Sequence, residues 1–112
     1  MKIAIPLTGG KLSAHFGHCE QFALIVADPA SKKVISREDV TPPPHEPGLY
    51  PKWLAERGAT HIIAGGMGQS ARNLFAQNHV EVVVGASEES PEKIAALFLE
   101  GKLETGENGC DH

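Results

Sequence analysis

Cysteine is scarce in this chain. Cys19 and Cys110 are its two thiols, too few for a disulfide-framed fold, and they read as ligands or free thiols rather than as a bridge. Long apolar runs are missing as well. The N-terminal run Met1-Lys2-Ile3-Ala4-Ile5 stops at Pro6, too short for a signal-peptide core or a membrane span, so the expectation is a cytoplasmic protein with no membrane partner. A basic excess is absent: the formal net charge is −4, and no Lys/Arg stripe is interleaved with aromatics, which removes electrostatic support for a nucleic-acid partner. Paired carboxylates do not occur at the ends of the apolar runs, and no third group is placed to orient a Cys–His pair. Acid–base and nucleophilic catalysis therefore find little support, and the expectation is a protein that is not an enzyme.

What is present fits one domain. A chain of 112 residues with 41% hydrophobic content can bury one core but not two. The pattern predicts strands over 2–6, 22–27 and 33–38, the last more polar and placed at an edge. It then predicts a helix over 49–57, a strand over 61–64, a helix over 69–77, a strand over 81–84 and a helix that starts at Ser90-Pro91 and ends at Gly101. Pro6 is read as the end of the first strand. Residues 1–103 form the domain, and 104–112 are a polar, glycine-containing tail expected to be flexible. Three strands in an antiparallel meander followed by alternating helices and strands give a mixed α/β sheet of five strands with right-handed crossovers.

The stretch Ser13-Ala14-His15-Phe16-Gly17-His18-Cys19 stands out. It sits in a connection of roughly 14 residues between the first two strands, near the upper limit for a structureless loop. Imidazole and thiol together match a borderline or soft metal such as zinc, copper or iron, which makes His15, His18 and Cys19 candidate metal ligands. The plainer alternative is a packed loop whose histidines face water.

Topology strengthens the metal reading. If all strands but the second run parallel, the loops leaving them gather at one end of the sheet, where ligands of open α/β sheets bind. Those loops carry His15, His18 and Cys19, then His45 within the proline-rich 41–48 segment, then Gly65-Gly66-Met67-Gly68, then 85–89. Gly65, Gly66 and Gly68 allow a ligand to approach backbone N–H groups at a helix start, although a plain tight turn needs the same glycines. Met67 is a thioether ligand or a core filler. His61 begins a strand and His79 precedes one, so both belong at the opposite end. Cys110 and His112 are added candidate ligands, since the tail is long enough to reach the site.

Lys2-Ile3-Ala4-Ile5-Pro6, Ser13-Ala14-His15-Phe16-Gly17, His45-Glu46-Pro47-Gly48 and Ile63-Ala64-Gly65-Gly66-Met67-Gly68, taken in this order, resemble the dinitrogenase iron–molybdenum cofactor biosynthesis family over roughly residues 1–100. The resemblance implies a ribonuclease H-like fold. It implies a carrier, without hydrolysis, of a metal–sulfur cluster or its precursor, of iron–molybdenum or molybdenum–copper type, or of a single transition metal. It implies cluster-assembly or acceptor proteins as partners. His15, Phe16 and Gly17 match the family's His-Phe-Gly motif, and with His45 and Gly65–Gly68 they form the implied cofactor-binding set. Two other readings stand beside this one. A regulatory or adaptor domain would bind a protein partner without metal. A ribonuclease H-like nuclease would need a carboxylate on the first strand, and Lys2–Pro6 has none.

Overall fold

The computed structural model describes residues 1–14, 16, 19–44, 46 and 48–106. His15, Gly17, His18, His45, Cys110 and His112, all named above as candidates, lie outside the described residues. The elements in chain order are β1 (Lys2–Thr8), β2 (Lys11–Leu12), β3 (Gln21–Asp28), β4 (Lys33–Val40), α1 (Leu49–Glu56), β5 (His61–Ile63), α2 (Gln69–Gln77), β6 (Glu81–Val83) and α3 (Pro91–Leu99). They form a mixed α/β fold with one sheet in the order β4-β3-β1-β5-β6, and β2 pairs with β1.

Among the described residues the sheet has six strands, not five. The extra strand, β2, lies inside the connection that looked structureless. Gly9 and Gly10 both take positive φ (62° and 80°), the twist a two-residue hairpin demands, so Thr8 pairs with Lys11 and Leu7 with Leu12. Pro6 does not end β1. Its carbonyl accepts from Ser13 N–H at 2.7 Å on the side that β2 and β5 occupy, and β5 pairs with β1 no further than Ala4. The missing N–H of Pro6 therefore costs no bond to β5; what it forgoes is the return bond to Ser13 beyond the end of β2, and the strand continues to Thr8 through its pairing with β3 and β2.

Pairing between β1 and β3 and between β3 and β4 is antiparallel, while β1–β5 and β5–β6 are parallel. All long strands except β3 thus point one way, and their carboxyl ends share one edge of the molecule. Side chains alternate between the two faces. Ala4, Phe22, Leu24 and Ile62 pack under α1 and α2 with Tyr50, Leu54 and Phe75. Ile3, Ile5, Ala23, Ile25 and Ile63 pack under α3 with Ile94 and Ala95. β4 is the exposed edge expected from its polarity, with Ile35 66% exposed. Among the described residues no helix is long and apolar enough to cross a membrane.

The amino end of the sheet is fastened by polar contacts. Lys2 N–H donates to Thr60 Oγ1 at 3.0 Å, Thr60 N–H donates back to the Lys2 carbonyl at 2.8 Å, and Lys2 Nζ donates to the Arg57 carbonyl at 2.7 Å. His61 Nε2 lies 3.1 Å from Glu81 Oε2 at this same end, as its strand position implied. His79 closes α2 in a left-handed conformation (φ 61°) and is exposed.

On the α3 face, Arg37 of β4 joins the edge strand to the helix. Its guanidinium donates to both Asp39 carboxylate oxygens, at 2.7 and 2.9 Å, and to Glu92 of α3. The Arg37 hydrogen bond holds the Glu92 carboxyl below its ordinary value of 4.5. The folded state therefore favours the ionised form, a contribution present at neutral pH and lost as pH falls through the depressed value. Glu92→Gln should lower stability in urea at pH 7, and the gap to the parent should close on acidification. A gap of the same size at pH 7 and in strong acid would remove the charge from this account.

Candidate functional site

Four segments meet at the carboxyl end of the strands, and backbone contacts hold them side by side. The segment leaving β1 folds back through the Gly9-Gly10 turn and β2. It is tied across the end of the sheet by Leu12 N–H to the Glu89 carbonyl at 2.9 Å, and by Glu20 N–H to the Leu7 carbonyl at 2.8 Å. Phe16 N–H donates to the Gly66 carbonyl at 3.1 Å. The Phe16 ring is 5% exposed and sits among Phe22, Tyr50 and Phe75 at centroid distances of 5.9, 5.8 and 5.4 Å. One aromatic side chain thus drives the middle of the loop into the core.

The segment leaving β5 is the glycine turn. A Cβ on Gly65 would lie 3.0 Å from Ala14 Cα and 3.2 Å from the carbonyl oxygens of Ser13 and Ala14, so the first loop rests directly on this backbone. Gly66 is buried, and the Met67 side chain is 1% exposed within the α1–α2 core. Gly68 is the N-cap of α2 and offers no side-chain cap. The segment leaving β6 joins the row through Gly85, whose N–H donates to the Gly65 carbonyl at 2.9 Å.

The segment leaving β4 contains the prolines. Tyr50, in the first turn of α1, donates its hydroxyl proton to the Pro43 carbonyl at 3.2 Å and so pins the proline stretch to the helix. Gly48, the N-cap of α1, has φ 80° and stands 3.6 Å, by its would-be Cβ, from Leu74 of α2.

All three helices start at this end, and their first turns differ. α3 begins with Ser90, which accepts from Lys93 N–H at 3.4 Å, and carries Glu92 in its first turn. α1 and α2 begin with glycines, have no side-chain cap and carry no acid in the first turn. Two adjacent helices therefore present the positive ends of their dipoles with no acidic side chain in their first turns.

The candidate residues divide by chemistry. Phe16 and Met67 are core residues, and they position the site rather than touch what it holds. Gly65 and Gly66 carry the backbone row, and Gly68 opens α2. Cys19 is half-buried against the aromatic core, and burial pushes its thiol up to about 11. Tyr50 titrates higher than usual, first because it is buried and then because of the Cys19 charge nearby. A metal at Cys19 would have to displace a proton that the surroundings retain. Among the described residues no three His, Cys, Asp or Glu side chains converge to hold an ion. Sequence reasoning missed Tyr50, and it placed Gly85 at this end only as part of the 85–89 loop, without its bond to Gly65. Tyr50 falls beside the stripe formed by Leu49, Trp53 and Leu54. The significance of Gly85 depends on a chain segment that approaches it from far along the sequence.

The model of the family described as "Dinitrogenase iron-molybdenum cofactor" matches residues 1–101. The chain belongs to the dinitrogenase iron–molybdenum cofactor family. An uncharacterised protein of Methanocaldococcus jannaschii is 31% identical over 110 residues, covering 93% of this chain and 90% of that protein. The crystal structure of the protein PH0822 superposes with a TM-score of 0.84 at 27% identity, over 94% of both chains. The apo form of the orange protein from Desulfovibrio gigas superposes with a TM-score of 0.75 at 20% identity, over 96% of this chain and 93% of that one, a likeness of fold. Family membership makes this a small cofactor-related protein.

Two measurements check the site's construction. Phe16→Ala should cost about 3–5 kcal/mol in urea unfolding, the usual range for emptying a buried aromatic position, whereas Phe16→Leu should cost markedly less. Equal small losses would mean that the loop does not depend on this ring. A thiol at about 11 should be alkylated at pH 8 roughly a hundredfold more slowly than one at the ordinary value of 9.0, from the smaller thiolate fraction. Iodoacetamide kinetics on Cys110→Ser, folded and in urea, read Cys19 alone, and equal rates would refute a retained proton.

Proposed function

We propose that this protein is a non-enzymatic carrier of an anionic metal–sulfur cluster or its precursor, received at the carboxyl end of the sheet and passed to cluster-assembly or acceptor proteins. We read the sheet as a ribonuclease H-like arrangement used for binding and not for hydrolysis. The observation that carries the proposal is the pair of uncapped, acid-free helix starts, α1 and α2, beside the loops that bear the family's motifs. An anionic cargo is attracted there by dipole ends and backbone N–H groups without a dedicated cation.

In this reading, His15, His18 and His45 supply imidazole from the loops that leave β1 and β4. Gly65–Gly68 lets the cargo approach the backbone, and Phe16 holds its loop in place from below. Imidazole ligands must be unprotonated to bind metal, so retention should weaken as pH falls. β1 bears no carboxylate, which suits a protein that holds metal without using it for phosphodiester hydrolysis.

The test is anaerobic uptake of tetrathiomolybdate, alone and with copper(I), and of an iron–sulfur cluster assembled from iron and sulfide, followed by visible spectra and elemental analysis. The parent should retain one of these through gel filtration, and His15→Ala should lose most of it. Ser70→Glu is sharper, because it places a carboxylate in the first turn of α2. It should raise stability by about 0.3–1 kcal/mol while weakening cluster uptake several-fold. If Ser70→Glu and His15→Ala both take up cargo like the parent, the loop end is not the site.

A further inference from the structure

The two edges of the sheet differ. β4 is protected: it carries Lys33, Arg37, Glu38 and Asp39, and a bulge leaves Ile35 unmatched where Val26 pairs with Ser36 and Ala27 with Val34. Charge and a bulge are the usual devices that stop an edge from recruiting another strand. β6, at the other side, has a continuous register with β5 and no charged residue except Glu81. Its outward row follows from its inward one. Glu81 N–H donates to the Thr60 carbonyl at 3.0 Å and Ala64 N–H to the Val83 carbonyl at 2.9 Å, so the backbones of Glu81 and Val83 face β5. Alternate residues of a parallel strand bond to a given neighbour, so Val82 turns its N–H and carbonyl outward. Gly85 N–H returns to the Gly65 carbonyl, and Val84 turns outward in the same way. Among the described residues neither Val82 nor Val84 meets a backbone partner on that side. The open row stops at Gly85, whose carbonyl accepts from Gly106 N–H at 2.7 Å.

A groove of about 700 Å³ runs beside this row, between β6 and α2. Ala76, Val80 and Val82 give it apolar side chains, and Arg72, Asn73 and His79 give it polar ones. From Gln69 to Ala76 the helix rises about 10 Å, the length of roughly three residues of extended chain. Charge on this side has one sign. No Asp or Glu occurs from 57 to 80, a stretch that holds Arg57, His61, Arg72 and His79. Glu81 is the acid nearest the groove, and its carboxylate lies 3.1 Å from His61 Nε2. The His61 ring stands 5.5 Å from that of Phe98, on the α3 face, so this carboxylate is turned away from α2. A strand added to β6 alternates its side chains between the two faces. Those on the α2 face meet Arg72, which favours a carboxylate there.

We propose that the open edge of β6 is a docking surface for an extended, acidic segment of a partner protein. The segment adds a strand through the outward groups of Val82 and Val84 and sets carboxylate side chains against Arg72 in the α2 groove. Main-chain bonds supply the affinity, and the arginine supplies the preference for acid. The added strand ends beside Gly85, next to the loops at the carboxyl end of the sheet. A partner held there stands next to the end that the carrier reading assigns to the cargo, but the docking does not rest on that reading.

Titration of the nitrogen-15-labelled full chain with the synthetic peptide acetyl-VEVEV-amide tests it, read by amide chemical shifts. The amides of Val82 and Val84 should move together, and acetyl-VKVKV-amide should bind at least about threefold more weakly. Acetyl-VEPEV-amide, whose proline lacks an N–H, should bind at least about fivefold more weakly than acetyl-VEVEV-amide. Arg72→Glu should reverse the order of the acidic and basic peptides. If Arg72→Glu does not fold, Arg72→Gln should erase the preference. Val82 and Val84 amides unmoved at millimolar acidic peptide would overturn the proposal. So would equal affinity for the acidic and basic peptides, no loss with the proline peptide, or an Arg72 variant that keeps the parent's order. Two further outcomes would give the edge to another occupant and overturn the external partner. One is a shift of the amides of residues 107–112 in step with Val82, which would assign the edge to this chain's own end. The other is a dimer in sedimentation that the acidic peptide dissociates, which would assign it to a second copy.

Discussion

The fit of the Phe16 ring between the sheet and the helices α1 and α2 is the constraint on which the loop end depends. A loop leaving a strand at the surface has many conformations, and ordering it costs roughly 1–2 kcal/mol per residue. Burying one aromatic side chain against Phe22, Tyr50 and Phe75 offsets part of that cost and gives the loop a fixed height above the sheet. Contacts made by backbone atoms then become possible. Phe16 N–H meets the Gly66 carbonyl, Ala14 rests on Gly65, and Gly85 bonds to Gly65 in turn. Glycine at 65 and 85 is the consequence, because a Cβ at either position would occupy space that a neighbouring backbone already fills.

Backbone packing of this kind has an electrostatic side. Side chains that could neutralise a helix start are absent from α1 and α2 and present on α3, although all three helices begin at the same end. Glu92 and Arg37 fasten α3 to the edge strand, so the charged groups on that face serve the fold. The other face keeps its dipole ends uncompensated. On the proposed carrier reading, affinity for an anionic cargo would come from partial charges fixed in place by the fold.

Much of this architecture is legible in the sequence because period-two and helical patterns survive burial. The helix bounds follow from Gly58, Ser90-Pro91 and Gly101, each of which acts through local backbone geometry. β2 is harder to see, since two residues carry no period; the Gly9-Gly10 pair was its readable sign. Pro6 misleads because its cost depends on whether a neighbouring strand requests its N–H, and β5 is too short to do so. The candidate ligands are recognisable by type, but type does not report burial. Cys19 looks like a ligand in the chain and packs like an apolar residue in the fold, while Met67 is plain core. The return of the chain to Gly85 leaves no local mark, because it is a contact between residues 85 and 106 made by their backbones.

The bonds between Thr60 and Lys2 lie at the opposite end of the sheet from every loop discussed above. They join the amino ends of β1 and β5, and Lys2 Nζ extends the join to the last turn of α1. Protection of backbone amides from exchange with solvent deuterium should therefore be graded along the strands. The bonds at Thr60 and Lys2 tie two strands and a helix end together, whereas those of Phe16, Gly85 and Gly106 each join one loop segment to the next. On the carrier reading proposed above, release of these loop contacts alone would let a guest enter and leave without unfolding of the sheet.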